Sequence, residues 1–297
     1  MTDTNEAFVG SWQLALHDLS ERSQVQYLSC LHLFLRWLAE DGRTTDLLEV
    51  TRQDVEGWFH AQAAAGTSAN TRRSRWVALR SFYGWAHDEE EIDDNPMAKV
   101  KVARPDPPPP PVLPNSAVKA LLKVCQGKGF AERRDLAIVR TFLATGARLA
   151  EVTALQVGDV DLQARVITIT RGKGGKRRVV RIDAGTAAAV DRYRRARSRH
   201  RHAGLSALWV GQKGALTVSG LDAALHRRAT DAGIDGFHAH LLRHWWADAW
   251  QTKGGNEGSL QVLGGWADAS VMARYGAGRK VDRALAHYDE VNPLGDL

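Results

Sequence analysis

Apolar residues recur every three or four positions over most of the chain, which is the spacing of amphipathic helices. Leu31, Phe34 and Leu38 follow this spacing near the N-terminus. A further helix is predicted to begin after Thr51, a residue type favoured at N-caps, and another covers residues 70–87. The first hundred residues are therefore predicted to form an all-helical domain.

The pattern becomes mixed in the second half of the chain. Residues 133–143 have helical spacing, whereas 166–170 and 178–182 alternate apolar and polar positions as strands do. A glycine-rich turn, 171–177, separates the two strands, and helical spacing resumes from residue 184. The predicted fold class is mainly α with a small β-sheet.

A proline-rich segment divides the two patterns, since seven of the nine prolines lie in 105–114. Proline runs lack N–H donors and favour extended polyproline II, so this segment is predicted to be a spacer. The alternative is a ligand for a proline-binding module. The expected organisation is a helical domain at 1–104, a linker at 105–114 and a second domain at 115–297.

Charge is divided at the same place. Residues 1–105 hold 11 Lys and Arg against 16 Asp and Glu, whereas the remainder holds 29 against 18. The excess of basic residues in the second part favours a polyanionic partner such as nucleic acid. The sequence shows no secretory signal and no apolar run long enough to span a membrane. Cys30 and Cys125 are isolated from each other, as expected for buried free thiols. A cytoplasmic location is therefore expected.

The glycine-rich turn suggests a phosphate-binding P-loop, but its context does not fit. That motif would require glycine at Thr170, Ser or Thr at Arg177, and a helix after the turn. What remains is a basic hairpin tip with Lys173, Lys176, Arg177 and Arg178. The tip is interpreted either as a solvated turn or as a loop that reaches into a DNA groove.

Two further groups of basic residues have structural and functional interpretations. Arginines at 72, 73, 75 and 80 lie opposite the apolar side of the predicted helix 70–87, as a solvated face or a phosphate-facing stripe. The arginine-rich run 192–201 is interpreted as a solvated or DNA-backbone-contacting face without sequence readout.

Three histidines are candidate metal ligands. His240 and His244 are four residues apart on a predicted helix, with His238 just before them, but no H-E-x-x-H motif completes a zinc site. Zinc is therefore disfavoured, and no metal is expected. Instead, His240 and Arg243 share one helical face, where an imidazole can exchange a proton beside a phosphate-binding guanidinium.

Three other residues are ambiguous when each is considered alone. Arg148 follows Thr145-Gly146 at a helix entry, where it could bind a phosphate or form a structural ion pair with Glu151. Trp266 follows two glycines and could contact a ligand or pack in a core. Tyr275 precedes Gly276 and is either a helix-end aromatic or a nucleophile that needs assistance from cations and a base.

Taken together and in order, these positions resemble the tyrosine recombinases (phage integrases), relatives of the Xer and Cre enzymes. The resemblance rests on Arg148, Lys173, His240, Arg243, Trp266 and Tyr275, within the contexts Thr-Gly-Ala-Arg-Leu-Ala-Glu, Gly-Lys-Gly and Leu-Arg-His, with Gly-Trp nine residues before the tyrosine. It covers almost the whole chain. Within the family, the glycines of 254–258 and Gly265-Trp266 look most like small actinobacterial phage integrases.

The resemblance implies a two-domain DNA clamp with an N-terminal SAM-like core-binding bundle and a C-terminal mixed α+β catalytic domain. Tyr275 would attack a scissile phosphate and form a 3′-phosphotyrosyl bond. Arg148 and Arg243 would bind the non-bridging oxygens, and Trp266 would donate a hydrogen bond to the phosphate. His240 would assist deprotonation of the tyrosine, and Lys173 would protonate the leaving oxygen, without metal, ATP or another cofactor.

The implied partner is double-stranded DNA with paired inverted core sites, with Arg72, Arg75, Arg80, Lys176 and Arg177 as DNA-binding candidates. Four protomers would form a homotetramer on DNA and pass through a Holliday junction, exchanging a C-terminal helix at 281–288. The free protein would be a monomer or weak oligomer. The resemblance implies no membrane partner and leaves room for an accessory directionality factor.

Three alternatives to a phage or mobile-element integrase remain open on the sequence. One is a chromosomal Xer-type recombinase that resolves dimers. Another is a type IB topoisomerase, which shares this set of residues but needs no exchange between protomers. The third is a non-catalytic DNA-binding accessory protein, against which the complete set of six residues argues.

Overall fold

A computed structural model describes residues 3–103, 110–170 and 177–266, together with the single positions 268 and 285. The chain divides into two compact units, 1–107 and 108–297. Helices dominate the described residues of both units, and short strands occur in the second, which confirms the predicted fold class. The finer assignment of a linker at 105–114 between domains 1–104 and 115–297 stays a prediction, and residues 104–109 lie outside the described part.

The first unit contains the helices α1 (Asp3–Ala15), α2 (Glu21–Glu40), α3 (Arg52–Ala64) and α4 (Ala69–Asp88). Ser20, Thr51 and Ser68 cap the last three through their hydroxyl oxygens, so the predicted N-cap at Thr51 is confirmed. Aromatic and aliphatic side chains from all four helices form one buried core: Trp12, Phe34, Leu38, Trp58, Leu79, Phe82 and Tyr83.

The helix α1 was not predicted individually from the sequence. Its Asn5 is fully buried, where its amide donates to Thr45 O (2.6 Å) and its carbonyl oxygen accepts from the backbone N–H of Leu47 (3.1 Å). These bonds join α1 to the loop after α2. The satisfied amide explains how a polar residue occupies a core position.

The second unit contains a series of helices around the central α6. They are α5 (Asn115–Val124), α6 (Phe130–Thr145), α7 (Leu149–Thr153), α8 (Ala184–Arg197), α9 (Val218–Asp231), α10 (His240–Thr252) and α11 (Glu257–Gly264). The buried face of α6 includes Ile138, Val139 and Phe142, and it belongs to the main core of this unit. Several elements that carry the residues discussed below contact α6 directly.

Two antiparallel sheets complete the second unit. Strands β1 (Val160–Asp161), β2 (Val166–Ile169) and β3 (Arg178–Arg181) lie in that order, and Ile169 pairs with Arg178 at the base of the glycine-rich turn. Both predicted strands are thus confirmed, each one residue shorter than expected. Strands β4 (Val210–Gly211) and β5 (Gly214–Ala215) interrupt the region predicted to be continuously helical after residue 184, so that part of the prediction was wrong.

The arginine run 192–201 is not uniformly solvated. Arg197 is buried and donates to the carbonyls of Ala203, Leu205, Ala207 and Leu208. The planar guanidinium has donors on all three nitrogens, so it can bond to several carbonyls of this loop at once. For this residue the predicted solvated role was wrong, and the arginine is a structural clamp.

Two features expected from composition also appear in the fold. Cys30 and Cys125 are buried free thiols, as predicted, and burial raises the pKa of each to about 12. In 3–103, 110–170 and 177–266, no helix is long and apolar enough to cross a membrane.

Gly146 ends α6 in the left-handed conformation, at φ +59°. A Cβ at this position would overlap the indole ring of Trp246. We predict that Gly146→Ala destabilises the protein by about 1–3 kcal/mol beyond the roughly 1–2 kcal/mol that a left-handed alanine costs. Free energies of unfolding from urea titrations would measure the loss.

Gly233 provides the matched control. It has a similar φ of +67°, but beyond its own chain neighbours no atom lies within 4 Å of the point that a Cβ would occupy there. Gly233→Ala should therefore lose only the conformational part. Equal losses in the two variants would contradict the close packing of Trp246 on Gly146.

Candidate active site

Arg148 lies between two helices, where the chain reverses after Gly146. Its backbone is extended (φ −74°, ψ 156°), and it is the N-cap of the short helix α7. The backbone N–H of Arg148 donates to Glu151 Oε2 (2.8 Å), and its Nη1 donates to Glu151 Oε1 (3.0 Å). The structural ion pair predicted for Arg148 is therefore present. It does not exclude phosphate binding, because the contact with Glu151 also fixes the direction of the guanidinium.

Glu151 is almost completely buried, with 2% of its side chain exposed. Arg178, on β3, reaches it with two further donors, Nη2 to Oε2 (2.6 Å) and Nη1 to Oε1 (3.1 Å). Burial is the largest influence on the Glu151 pKa and raises it, but the bonds from Arg178 and from the Arg148 N–H outweigh burial and lower the pKa. The carboxylate is therefore charged and shared between two arginines.

Arg178 was predicted to belong to the basic hairpin tip, and this was wrong. Arg178 begins β3 with its side chain directed inward, and its Nε also donates to Leu263 O (2.9 Å). Its neighbour Arg177 is exposed. Strand alternation was the signal that could have separated the two, because adjacent side chains of a strand point to opposite faces. Lys173 and Lys176 lie outside the described residues.

Arg243 lies on α10 with only 1% of its surface exposed. Its Nη1 donates to Gly146 O (2.6 Å), and its Nη2 donates to Gly264 O (2.7 Å). The guanidinium therefore joins the α6–α7 junction to the end of α11. Because Gly146 is two residues before Arg148, the two candidate phosphate-binding arginines are attached to the same turn.

Trp266 covers the guanidinium of Arg243, whose Cζ lies 4.1 Å from the ring centroid. The indole is buried and stacks on Trp246, with centroids 6.1 Å apart and an interplanar angle of 27°. The indole lies so close to Gly264, two residues earlier, that a Cβ there would overlap the ring. Trp266 thus packs in a core, one of its two predicted roles, and its hydrogen bond to a phosphate stays a prediction.

Trp246 is a structural contributor that the sequence did not identify. It lies over Gly146 and beside Trp266, so one indole contacts both turns that bind Arg243. The contact with Gly146 makes this packing part of the candidate active site.

His240 begins α10, and its ring lies 4.6 Å from that of His244 in an edge-to-face arrangement. Partial burial first, and then the neighbouring charges of His244 and Arg243, lower the pKa of His240 to about 4. Arg148 contributes to the same shift. The imidazole is consequently neutral at physiological pH and able to accept a proton.

The histidine cluster does not form a metal site in the described parts of the chain. There, no group of three or more His, Cys, Asp or Glu side chains is arranged to hold a metal ion. His244 instead contacts the chain that leads into α5, with Nδ1 3.1 Å from Pro111 O.

The predicted DNA-binding arginines of α4 interact with their own domain. Arg75 donates to Gln62 Oε1 (2.6 Å), and Arg72 donates to Thr67 O. Arg80 and Arg73 hold their guanidiniums 4.9 and 4.0 Å from the ring centroid of Trp76. A stacked guanidinium keeps its edge donors, so these contacts are compatible with phosphate binding, which stays a prediction.

The geometry brings Arg148, His240, Arg243 and Trp266 together around the α6–α7 turn. Comparison with protein-family models then identifies the family. The Phage integrase family model matches residues 111–280, more than half of the chain, and the Phage integrase N-terminal SAM-like domain model matches residues 14–90. The chain belongs to the phage integrase family. Tyr275, which belongs to the predicted set, lies outside the described residues.

Curated relatives and solved structures agree with this family. The tyrosine recombinase XerC of Chromobacterium violaceum is 31% identical over 271 residues, covering 82% of this chain and 88% of that protein. XerC of Pediococcus pentosaceus is 28% identical, covering 86% and 87%. The fold is similar to that of the XerH site-specific recombinase bound to a palindromic difH substrate (TM-score 0.75, 20% identity, 89% and 79% coverage). The chain is a tyrosine recombinase.

The burial of Arg243 has a measurable consequence for the recombinase. We predict that Arg243→Lys lowers the free energy of unfolding by about 2–4 kcal/mol, because lysine cannot make both carbonyl bonds of the fork. Arg148→Lys is the comparison, since the backbone bond from residue 148 to Glu151 survives it, and a loss of about 1 kcal/mol or less is expected. Equal losses in urea titrations would contradict the structural role of Arg243.

The pKa of His240 leads to a second prediction. In the DNA-free recombinase the ring should remain neutral at pH 5.5, where an unperturbed histidine is mostly protonated. Its folded pKa lies below the unfolded value, so its contribution to stability is present above about pH 6.5 and is lost as the pH falls toward 4. Nitrogen NMR of the imidazoles, assigned with His240→Gln, would measure this. A His240 titration centred near 6.5 would contradict the prediction.

Proposed function

We propose that this recombinase cuts and rejoins DNA at specific sites through Tyr275, with a 3′-phosphotyrosyl intermediate and a Holliday junction. The observation that carries the proposal is the attachment of Arg148 and Arg243 to one turn, around Gly146. Two fixed guanidiniums there provide the positive charge that a phosphoryl transfer requires.

The proposed chemistry follows from the protonation states of the set. The phenol oxygen of Tyr275 attacks phosphorus, while the bond to the 5′ oxygen of the next nucleotide breaks. Neutral His240 assists removal of the phenolic proton, and Lys173 supplies a proton to the leaving oxygen. Arg148 and Arg243 stabilise the charge on the non-bridging oxygens. Because one phosphodiester becomes another, the step consumes no ATP.

Trp266 is assigned two contributions in this proposal. Its stacking on Arg243 keeps that guanidinium between an indole face and two carbonyls. Its hydrogen bond to the phosphate is carried over from the family resemblance.

The proposed substrate is double-stranded DNA with paired inverted core sites, bound by a homotetramer that exchanges the C-terminal helix at 281–288. Arg72, Arg75, Arg80, Lys176 and Arg177 are proposed DNA contacts. The similar XerH structure holds a difH substrate, which supports a DNA partner. An accessory directionality factor and a cytoplasmic location, which suits two buried free thiols, complete the proposal.

Integration or excision of a phage or mobile element is the proposed biological role. The relatives named XerC favour the alternative, resolution of dimers by a chromosomal recombinase. Plasmids with core sites selected by binding from a random library would separate the two roles. Joining of two separate plasmids would support integration, whereas reaction restricted to two sites on one plasmid dimer would support resolution.

The catalytic assignment is tested with a suicide substrate that carries a nick beside the selected core site. We predict a covalent protein–DNA adduct with the wild-type protein on denaturing gels, linked through the 3′ end. Tyr275→Phe should abolish the adduct while core-site binding persists. An adduct that persists in Tyr275→Phe would overturn the assignment of the nucleophile.

The same protein preparation tests the topoisomerase alternative. Supercoiled plasmids with and without core sites are incubated with the protein, and their relaxation is followed on agarose gels. A site-specific recombinase should act only on the plasmid with core sites. Relaxation at equal rates on both plasmids would favour the topoisomerase.

A further inference from the structure

Arg178 uses all three of its guanidinium nitrogens inside the protein. Nη1 and Nη2 donate to the two oxygens of Glu151, and Nε donates to Leu263 O. Only 9% of its side chain is exposed. This arginine is therefore committed to internal contacts rather than to the hairpin surface.

The contacts with Glu151 extend to Arg148. Each oxygen of the Glu151 carboxylate is shared, Oε1 by Nη1 of both arginines and Oε2 by Arg178 Nη2 and the Arg148 backbone N–H. A bidentate fork fixes both the plane and the rotation of a carboxylate. The direction of the Arg148 guanidinium is consequently set by the position of Arg178.

The contact with Leu263 extends to the second arginine of the pair. Leu263 is followed by Gly264, whose carbonyl binds Arg243 (2.7 Å), and by Gly265. A Cβ on Gly265 would lie 2.9 Å from Arg178 Nη1, so Arg178 packs against the same turn. Arg178 thus lies between the chain segments that support Arg148 and Arg243.

We propose that Arg178 is a positioning residue for the recombination reaction, which aligns Arg148, through Glu151, with the turn that holds Arg243. The inference rests on the proposed function, because the two aligned guanidiniums are those that would bind the scissile phosphate. Arg178 itself would not contact the DNA. A lysine could not replace it, since one ammonium cannot span both Glu151 oxygens and Leu263 O in this geometry.

The variants Arg178→Lys and Arg178→Gln test the proposal, with Arg181→Gln as the control. Arg181 is exposed on the same strand, so its replacement removes one charge without disturbing Glu151. The measurement is the single-turnover rate of adduct formation on the nicked core site, together with the dissociation constant for that DNA. If Arg178→Gln does not fold, Arg178→Lys, which retains the charge, carries the test.

Cleavage by Arg178→Lys is expected to slow by about 10- to 100-fold, the usual effect of losing a group that orients another functional group. The dissociation constant for DNA should change by less than about threefold, because the residue makes no DNA contact. Arg181→Gln should cleave at close to the wild-type rate. A wild-type rate in Arg178→Lys would overturn the positioning role.

A double-variant cycle separates positioning from a general loss of structure. In an Arg148→Ala background the guanidinium that Arg178 aligns through Glu151 is absent, so Arg178→Lys should cost less than about threefold there. The same 10- to 100-fold loss in both backgrounds would overturn the proposed route through Glu151. If the wild-type protein forms no adduct, the proposed function itself fails, and that result is distinct from both of these.

Discussion

The candidate active site depends on the ion pairs that the buried carboxylate of Glu151 forms with two arginines. An anion with 2% of its side chain exposed is costly unless charges and hydrogen bonds replace the lost water. Arg148 and Arg178 provide that replacement, and each comes from a different part of the chain. The requirement to neutralise one carboxylate therefore brings the start of α7 and the base of β3 together.

Arg243 is also a buried charge that needs contacts to replace water, but its charge is positive. Its guanidinium is removed from water, and two backbone carbonyls and an indole face replace the solvent. Both carbonyls belong to glycines at helix ends, where the chain turns sharply enough for an arginine to approach. Because these contacts hold Arg243 in place, little reorganisation would be required when charge develops in the proposed reaction.

Local patterns in the sequence predicted much of this architecture, because they reflect local forces. The cap at Thr51 and the strands on either side of the glycine-rich turn depend on neighbouring residues, and both are confirmed. The grouping of Arg148, His240 and Arg243 was predicted in another way. Their order and local motifs resemble those of a known family, whereas hydrophobic periodicity alone would not have joined them. The partners of Arg178 could not be predicted in this way, since they lie 27 and 85 residues away along the chain.

Arg197 is a second residue whose partners could not be predicted from local sequence patterns. Its position in an arginine-rich run suggested a solvated face, but a run of charges does not specify which member turns inward. The four carbonyls that accept from Arg197 belong to the loop between α8 and β4. The Tyr193 hydroxyl of α8 also accepts from the backbone N–H of Val210 on β4. Tertiary structure thus separates one arginine from chemically identical neighbours.

The charges around the α6–α7 turn are also matched to the proposed reaction. Arg148, Arg178 and Arg243 contribute three positive charges and Glu151 one negative charge, a net of +2. Because the pKa of His240 is lowered to about 4, its ring adds no charge at neutral pH. A phosphodiester carries one negative charge, and a pentavalent transition state approaches two. In the proposed reaction, protonated Lys173 would add a further positive charge. A positive site would then stabilise the more highly charged transition state more than the bound substrate, and that difference would accelerate the reaction.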